Sequence, residues 1–365
     1  QTIVALHCNR GATYLKEKKY SSCIKDCDEA LQLSPQCIKA YSRKWRALMG
    51  LGEIDKARGL LEQARRTLPD DNLFQDEMWK VSQMDELIQQ TKHFLKTKRY
   101  GEAKQIADKL LKLIDTPEAL LISASADAYH GIIAPSLEKC ESVLAHSSKS
   151  VRALTVKGHI LFLSGDLDSA GVLLKQALRY SPENKETKEI YTIYRKVERE
   201  AAKSRVLISQ FRTSQNISSV KMAFEHLTTS LSDENIPIKT PLHSRFRAER
   251  AEAGVHLHRY PAALQDATIA IDVNEQNGRA WVAKTNALIG LGRAREARDD
   301  LRSVKNTWGK ENVKIQEVFE KADMEARIYD QDRELQGLVA ESRARLQPPP
   351  QQQQHGPIPT VIENR

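Results

Sequence analysis

The sequence predicts an all-α fold, a solenoid of paired helices, and two observations support that prediction. First, a pattern recurs about every 34 residues, which aligns Tyr20 with Ile54 and Cys23 with Ala57. Second, Ala, Leu, Lys, Glu and Arg dominate a chain that is 28% charged and only 6% aromatic, a composition typical of helices. A fixed period of this length indicates stacked two-helix units, which can extend to 365 residues without one large globular core.

Each unit is recognised by an anchor in its second helix, a larger residue followed three positions later by a small one. The small residue lets the paired helix approach closely, and the larger residue fills the remaining gap. Short turns, several of them with Gly, separate the helices of a pair. The seven anchors are Tyr20–Cys23, Ile54–Ala57, Tyr100–Ala103, Ile133–Ser136, Leu167–Ala170, Tyr260–Ala263 and Ala294–Ala297. We also expect four tryptophans to pack between repeats, namely Trp45, Trp79, Trp281 and Trp308.

The anchors fall into three blocks, which define the predicted domain organisation. We expect repeats over 1–75, a middle array over 76–190 and a third, degenerate array over 191–310. A polar connector, 70–85, is expected to lead into the middle array. The charged amphipathic segment 311–345 predicts a capping helix for an exposed array end. Residues 346–365 are rich in Pro and Gln, which predicts a disordered tail.

The charge pattern argues against nucleic-acid binding, the hydropathy argues against a membrane span, and the motifs argue against catalysis. The net charge is +8, but basic and acidic residues alternate and form no basic stripe with stacking aromatics, so the excess suits a partner with acidic ends. No window is long and uncharged enough for a membrane span. No phosphate-binding Gly loop, nucleophile elbow or HExxH motif occurs. We therefore expect no catalytic site and no cofactor.

The five cysteines predict free thiols in a reducing compartment. Cys23 and Cys27 lie four residues apart and could in principle share a metal, but no other Cys or His pair completes a zinc-like spacing. The odd number of cysteines also argues against a disulfide framework. We therefore expect buried or half-buried thiols, no metal, and a protein either of the cytoplasm alone or of both the cytoplasm and the nucleus.

Three polar residues lie on the first helices of two successive repeats. Asn9 and Arg43 are 34 residues apart, and Lys39 lies one helical turn before Arg43. First helices of such an array line its inner surface, so we expect the three side chains to converge there. An amide, an ammonium and a guanidinium without an acid suit a terminal carboxylate beside an acidic side chain.

The other blocks provide an internal comparison, because they lack this set. In the third block the equivalents of Asn9, Lys39 and Arg43 are Glu249, Arg279 and Ala283, and Glu249 is expected to face Arg279. The middle block carries Gln89, Ile122 and Val156 at these sites. The cationic set is therefore predicted only in the first block.

The period and anchors resemble the tetratricopeptide repeat, which implies antiparallel helix pairs stacked into a right-handed superhelix. The motifs "NRG" and "KAYSR" resemble the dicarboxylate clamp of tetratricopeptide co-chaperones, which hold the Glu-Glu-Val-Asp tails of cytosolic Hsp70 and Hsp90. That resemblance assigns Asn9, Lys39 and Arg43 to peptide binding, as three of five clamp residues. The other two would lie on a helix before Gln1.

The three-array plan resembles the J-domain co-chaperone family typified by DnaJ homologue subfamily C member 7, in segments such as "LLKQALRYSPENKE". In that family a His-Pro-Asp loop stimulates Hsp70, and no His-Pro-Asp occurs in this sequence. The resemblance thus implies a co-chaperone adaptor that binds Hsp70 and/or Hsp90 tails, with further proteins on the other arrays and without ATPase stimulation. The alternative is a non-chaperone interaction scaffold, in which the three residues have no special role.

Overall fold

The structure, a computed structural model, describes residues 2–68, 74–308 and 313–346, and within these ranges the regular elements are helices. The chain divides into two compact units, 1–283 and 284–365. The prediction of an all-α repeat array is confirmed.

The first block consists of two helix pairs. They are α1 (Thr2–Lys16) with α2 (Tyr20–Leu33), and α3 (Ile38–Leu51) with α4 (Ile54–Thr67). Each pair closes through a tight turn that needs one residue in the left-handed region, Lys18 in the first (φ 57°) and Gly52 in the second (φ 77°).

The middle block holds three helix pairs. They are α5 (Gln75–Lys96) with α6 (Tyr100–Leu113), α7 (Pro117–Tyr129) with α8 (Ile133–His146), and α9 (Val151–Ser164) with α10 (Leu167–Tyr180). Thr116 caps α7 by accepting a hydrogen bond from the Ala119 amide at 3.2 Å, and Pro117 follows at the first helical position. The predicted connector is helical from Gln75 onward, because Val81 and Met84 bury one face of α5 in the core.

The remaining helices begin with a long one. They are α11 (Lys185–Ser214), α12 (Ile217–Leu231), α13 (Pro241–His256), α14 (Tyr260–Val273), α15 (Gly278–Gly290), α16 (Ala294–Trp308) and α17 (Val313–Leu346). In the second unit α17 packs against α16, where Arg295 and Asp330 form an ion pair. The helix predicted over 311–345 thus forms, whereas the predicted disordered tail lies outside the described residues.

The small anchor residues are buried as predicted. Their exposed fractions are 0–2% at Cys23, Ala57, Ala103, Ser136, Ala170, Ala263 and Ala297. Two of the tryptophans, Trp45 and Trp281, are also buried. The prediction for Trp79 is wrong, since its side chain is 56% exposed on the face of α5 that points away from the buried residues. The side chain of Trp308 lies outside the described part.

First helices of neighbouring repeats contact one another within the blocks. Such contacts join α1 to α3, α5 to α7, α7 to α9 and α9 to α11. No contact of comparable extent joins second helices among the described elements of the first unit. Helices that approach each other more closely lie on the inner side of a curved stack, so the first helices line the inner surface of these blocks.

The segment 233–245, which comprises most of the connection between α12 and α13 and the first residues of α13, runs along the middle block. Glu234 pairs with Lys98 in the α5–α6 turn at 3.3 Å, between Nζ and Oε2. The Arg245 guanidinium donates to the carbonyl of Gly165 in the α9–α10 turn at 2.7 Å. The segment therefore follows successive turns of the middle array in their order along the chain.

Apolar side chains fix this arrangement. Ile236 and Leu242 are 4% and 0% exposed, and both belong to the cluster that contains Leu121 of α7 and Phe162 of α9. Burying such side chains stabilises by about 1.5–3 kcal/mol each. Part of the surface of the middle array is thus covered by the same chain.

Two glycines with positive φ provide a test of this contact. A Cβ atom at Gly131 (φ 94°), in the α7–α8 turn, would lie 2.5 Å from the carbonyl oxygen of Lys239. A Cβ at Gly52 (φ 77°) would meet nothing within 4 Å. Gly52→Ala should cost only the strain of the left-handed conformation, about 1–2 kcal/mol. Gly131→Ala should cost about 1–3 kcal/mol more and speed amide exchange across 233–245. Urea unfolding and hydrogen exchange measure the two effects, and equal losses for both variants would contradict the contact.

Candidate functional site

The three predicted residues lie on two adjoining first helices. Asn9 is on α1, Lys39 and Arg43 are on α3, and α1 contacts α3. Asn9 and Lys39 are exposed, whereas Arg43 is half-buried. Within the described residues no hydrogen bond joins the three side chains directly, so any ligand would bridge them.

Arg43 is held against the neighbouring repeat. Its Nη1 donates a hydrogen bond to the backbone carbonyl of Cys8 at 2.7 Å. Cys8 directly precedes Asn9, so this bond draws the guanidinium from α3 across to the part of α1 that carries Asn9. A guanidinium has five N–H donors, and the bond to Cys8 uses one of them. The others are available to an acceptor.

The charged groups around the site differ in their pairing. Lys44, one residue after Arg43, pairs with Asp28 at 2.5 Å, and Arg10, one residue after Asn9, pairs with Asp26. Neither Lys39 nor Arg43 forms an ion pair with any acid in the described part of the chain. The local excess of positive charge therefore lies at Lys39 and Arg43.

The Arg10–Asp26 pair joins the two helices of the first repeat. Arg10 donates from Nε and Nη2 to the two carboxylate oxygens at 2.8 and 2.6 Å. Asp26 is 3% exposed, and its hydrogen bonds to Arg10 hold the pKa of this carboxyl below its ordinary value despite burial. Such bidentate pairs are strong and geometrically specific. Arg10 thus has a structural partner.

The same pair recurs in the third block. Arg250 donates to the two oxygens of Asp266 at 2.7 and 2.8 Å, and both residues lie 240 positions after Arg10 and Asp26. The sequence analysis did not identify this pair. The recurrence of an Arg directly after Asn9 and Glu249, each with an Asp 16 residues later, could have indicated it.

The site in the third block is closed by an internal ion pair. Arg279 donates to Glu249 at 2.8 Å, and Arg245 donates to the same oxygen at 3.2 Å. Glu249 is only 1% exposed, and Ala283 is 2% exposed. The expectation that Arg279 faces Glu249 is confirmed.

At the compared positions, the middle block offers no cation. Ile122 and Val156 are 4% and 5% exposed and belong to the apolar core, whereas Gln89 is exposed.

The thiols are free, as predicted. Cys8, Cys23, Cys27 and Cys140 are buried and Cys37 is half-buried, and none is in a disulfide.

In the described part of the chain, one group of side chains lies close enough together to ligate a metal ion, namely His7 with Asp26 and Glu29. His7 Nδ1 lies 2.9 Å from Glu29 and 3.7 Å from Asp26. Because Arg10 already engages both oxygens of Asp26, a cation there would meet a fixed positive charge, and the group is better suited to polar contacts between helices.

None of the described helices has the length and apolar character needed to cross a membrane.

Comparisons with known proteins agree with the repeat pattern. The tetratricopeptide repeat family matches residues 4–37 and 151–184. The DnaJ homolog subfamily C member 7 homolog of Schizosaccharomyces pombe is 23% identical over 300 residues, which cover 80% of this chain and 61% of that protein. The Hsp70/Hsp90 co-chaperone CNS1 of Saccharomyces cerevisiae is 32% identical over 68 residues, 19% of this chain and 18% of its own.

Among solved structures, the tetratricopeptide domain of P58(IPK) has a TM-score of 0.48 at 14% identity and covers 89% of this chain and 99% of its own. The chain spans about three fifths of the S. pombe relative. It therefore contains tetratricopeptide repeats and, over most of its length, is similar to a DnaJ homolog subfamily C member 7 homolog.

Proposed function

We propose that this protein is a co-chaperone adaptor whose first block binds the acidic C-terminal tails of Hsp70 and/or Hsp90 at Asn9, Lys39 and Arg43. One observation carries the proposal, namely that Lys39 and Arg43 have no acidic partner among the described residues, while their helix α3 adjoins the helix α1 that carries Asn9. The relative CNS1, an Hsp70/Hsp90 co-chaperone, supports the choice of ligand.

Each of the three side chains would make a different type of interaction with a tail that ends in acidic residues. The carbonyl of Cys8 already orients the guanidinium of Arg43, so the Arg43 side chain would lose little further conformational entropy on binding. Lys39 is exposed and adds a mobile positive charge one turn away. Asn9 donates a neutral amide hydrogen bond and can accept a backbone N–H of the tail. Together they suit two carboxylates on a short extended segment.

The third block supports the assignment by contrast. There Glu249 supplies the carboxylate that a tail would supply in the first block, and Arg279 is already bound to it. An acidic tail would have to displace that pair. The proposed site is therefore specific to the first block.

Lys39→Ala provides the most direct test, because Lys39 is exposed and forms no hydrogen bond or ion pair with any of the described residues. Isothermal titration of the whole protein with a peptide that ends in Glu-Glu-Val-Asp should show a loss of affinity of about three- to thirtyfold. Lys16→Ala is the matched control, an exposed lysine on α1 without a partner in the described residues, and it should leave the affinity unchanged. Both the wild-type affinity and the loss should shrink at high salt, since the contact is partly solvated. If both variants bind like wild type, the three residues have no special role and the scaffold interpretation is favoured.

Arg43→Ala and Arg279→Ala should have opposite consequences. Arg43→Ala should weaken the peptide about ten- to a hundredfold, which corresponds to about 1.5–3 kcal/mol, while it lowers the free energy of unfolding by about 1 kcal/mol at most. Arg279→Ala leaves the buried Glu249 with Arg245 alone, so it should lower stability by about 1–3 kcal/mol and leave peptide affinity unchanged. Titration and urea unfolding of the same preparations separate the two effects. Equal effects of the two substitutions on affinity would contradict a specific site.

A further inference from the structure

Two thiols from different repeats lie close together in the first block. The Sγ atoms of Cys8 and Cys37 are 3.5 Å apart. Cys8 is buried on α1, whereas Cys37 is half-buried in the turn that precedes α3. A disulfide requires sulfur atoms about 2.0 Å apart. The remaining movement of about 1.5 Å is within the range of a thiol rotation and a small shift of the turn.

The position of Cys37 favours such a shift. It is the N-cap residue of α3, with φ −74° and ψ 90°, and its side chain caps no helical amide. Its carbonyl accepts hydrogen bonds from the amides of Ala40 and Tyr41, but its own dihedral angles are not helical, so the residue lies at the entrance of the helix. It is also the more exposed of the two thiols, which gives a soluble oxidant access to it.

The other cysteines do not offer the same arrangement. Cys23 and Cys27 are both 0% exposed and lie one turn apart on α2, so a link between them would join one helix to itself. Cys140 lies on α8 in the middle block.

We propose that Cys8 and Cys37 form a reversible redox modification site, in which a disulfide fastens α1 to the start of α3. The oxidant is a low-molecular-weight disulfide of the glutathione type. The proposal does not depend on tail binding, because both partners and the product belong to this chain.

The exchange proceeds in two steps. The Cys37 thiolate attacks one sulfur of the oxidised glutathione, which forms a mixed disulfide and releases one glutathione thiolate. Cys8 then loses its proton to solvent and attacks the Cys37 sulfur, which breaks the mixed disulfide and releases a second glutathione thiolate. Two protein thiols are oxidised by two electrons in all, and one glutathione disulfide is reduced to two thiols. Burial raises the pKa of the Cys8 thiol, which makes Cys37 the first to react.

The disulfide would restrain the first repeat of this sequence physically. It closes a loop across 29 residues, which restricts the unfolded and partly open states of the first repeat. It would also hold the carbonyl of Cys8 near the guanidinium of Arg43, because Cys8 contributes to both contacts. Opening of α1 away from α3 should therefore become rarer.

The experiment treats the whole reduced protein with oxidised glutathione, followed by acid trapping, alkylation and peptide mass spectrometry. We expect a Cys8–Cys37 cross-linked peptide that disappears with dithiothreitol. Amide exchange in α1 should slow by roughly tenfold or more in the oxidised form.

Two matched variants complete the experiment. Cys37→Ser should remove the cross-link while it preserves the fold, since Ser is favoured at an N-cap. Cys140→Ser should leave the cross-link unchanged. Stable glutathione addition at Cys37 without a bond to Cys8, or a Cys23–Cys27 disulfide as the main product, would overturn the proposal.

Discussion

The repeats depend on one steric constraint, the absence of a large side chain where the two helices of a pair cross. Cys23 and Ala57 meet it in the first block with exposed fractions of 0%. The axes of packed helices lie about 8–10 Å apart, and a distance near 8 Å requires a small side chain where the two helices cross. Each compact pair can then place its first helix against the next one, as α1 lies against α3. The neighbourhood of Asn9 and Arg43 is a consequence of that packing.

The first and third blocks share a framework and differ at the adjoining position. In both, an arginine of the first helix holds a buried aspartate of the second, Arg10 with Asp26 and Arg250 with Asp266. The residue before that arginine differs, Asn9 in the first block and Glu249 in the third. Lys39 and Arg43 have no acidic partner in the described part of the chain, whereas Glu249 engages Arg279. The exchange of Asn9 for Glu249 and of Arg43 for Ala283, beside a shared ion pair, thus separates an open site from a closed one.

The sequence predicted the features that repeat at a fixed interval. The buried small residues follow from the period, because they recur at equivalent positions. The facing of Glu249 and Arg279 follows as well, since Arg279 lies one helical turn before Ala283, the equivalent of Glu249 on the next first helix. The segment 233–245 was missed, since its contact from Lys98 to Glu234 joins residues 136 positions apart and no periodic pattern encodes such a pair. The bond from Arg43 to Cys8 was missed for another reason, since its acceptor is a backbone carbonyl, which every residue has.

The coverage of the middle array limits what the first block can bind. Because Ile236 and Leu242 already bury apolar surface against α7 and α9, a ligand of the first block would not gain that surface. It would instead meet the inner face of α1 and α3, where Lys39 and Arg43 have no acidic partner among the described residues. Its affinity would depend on a few well-oriented polar groups, such as the Arg43 guanidinium that donates to the carbonyl of Cys8. A short extended segment with clustered carboxylates can pair with these groups, and the electrostatic gain must exceed the entropy that the segment loses when it becomes ordered.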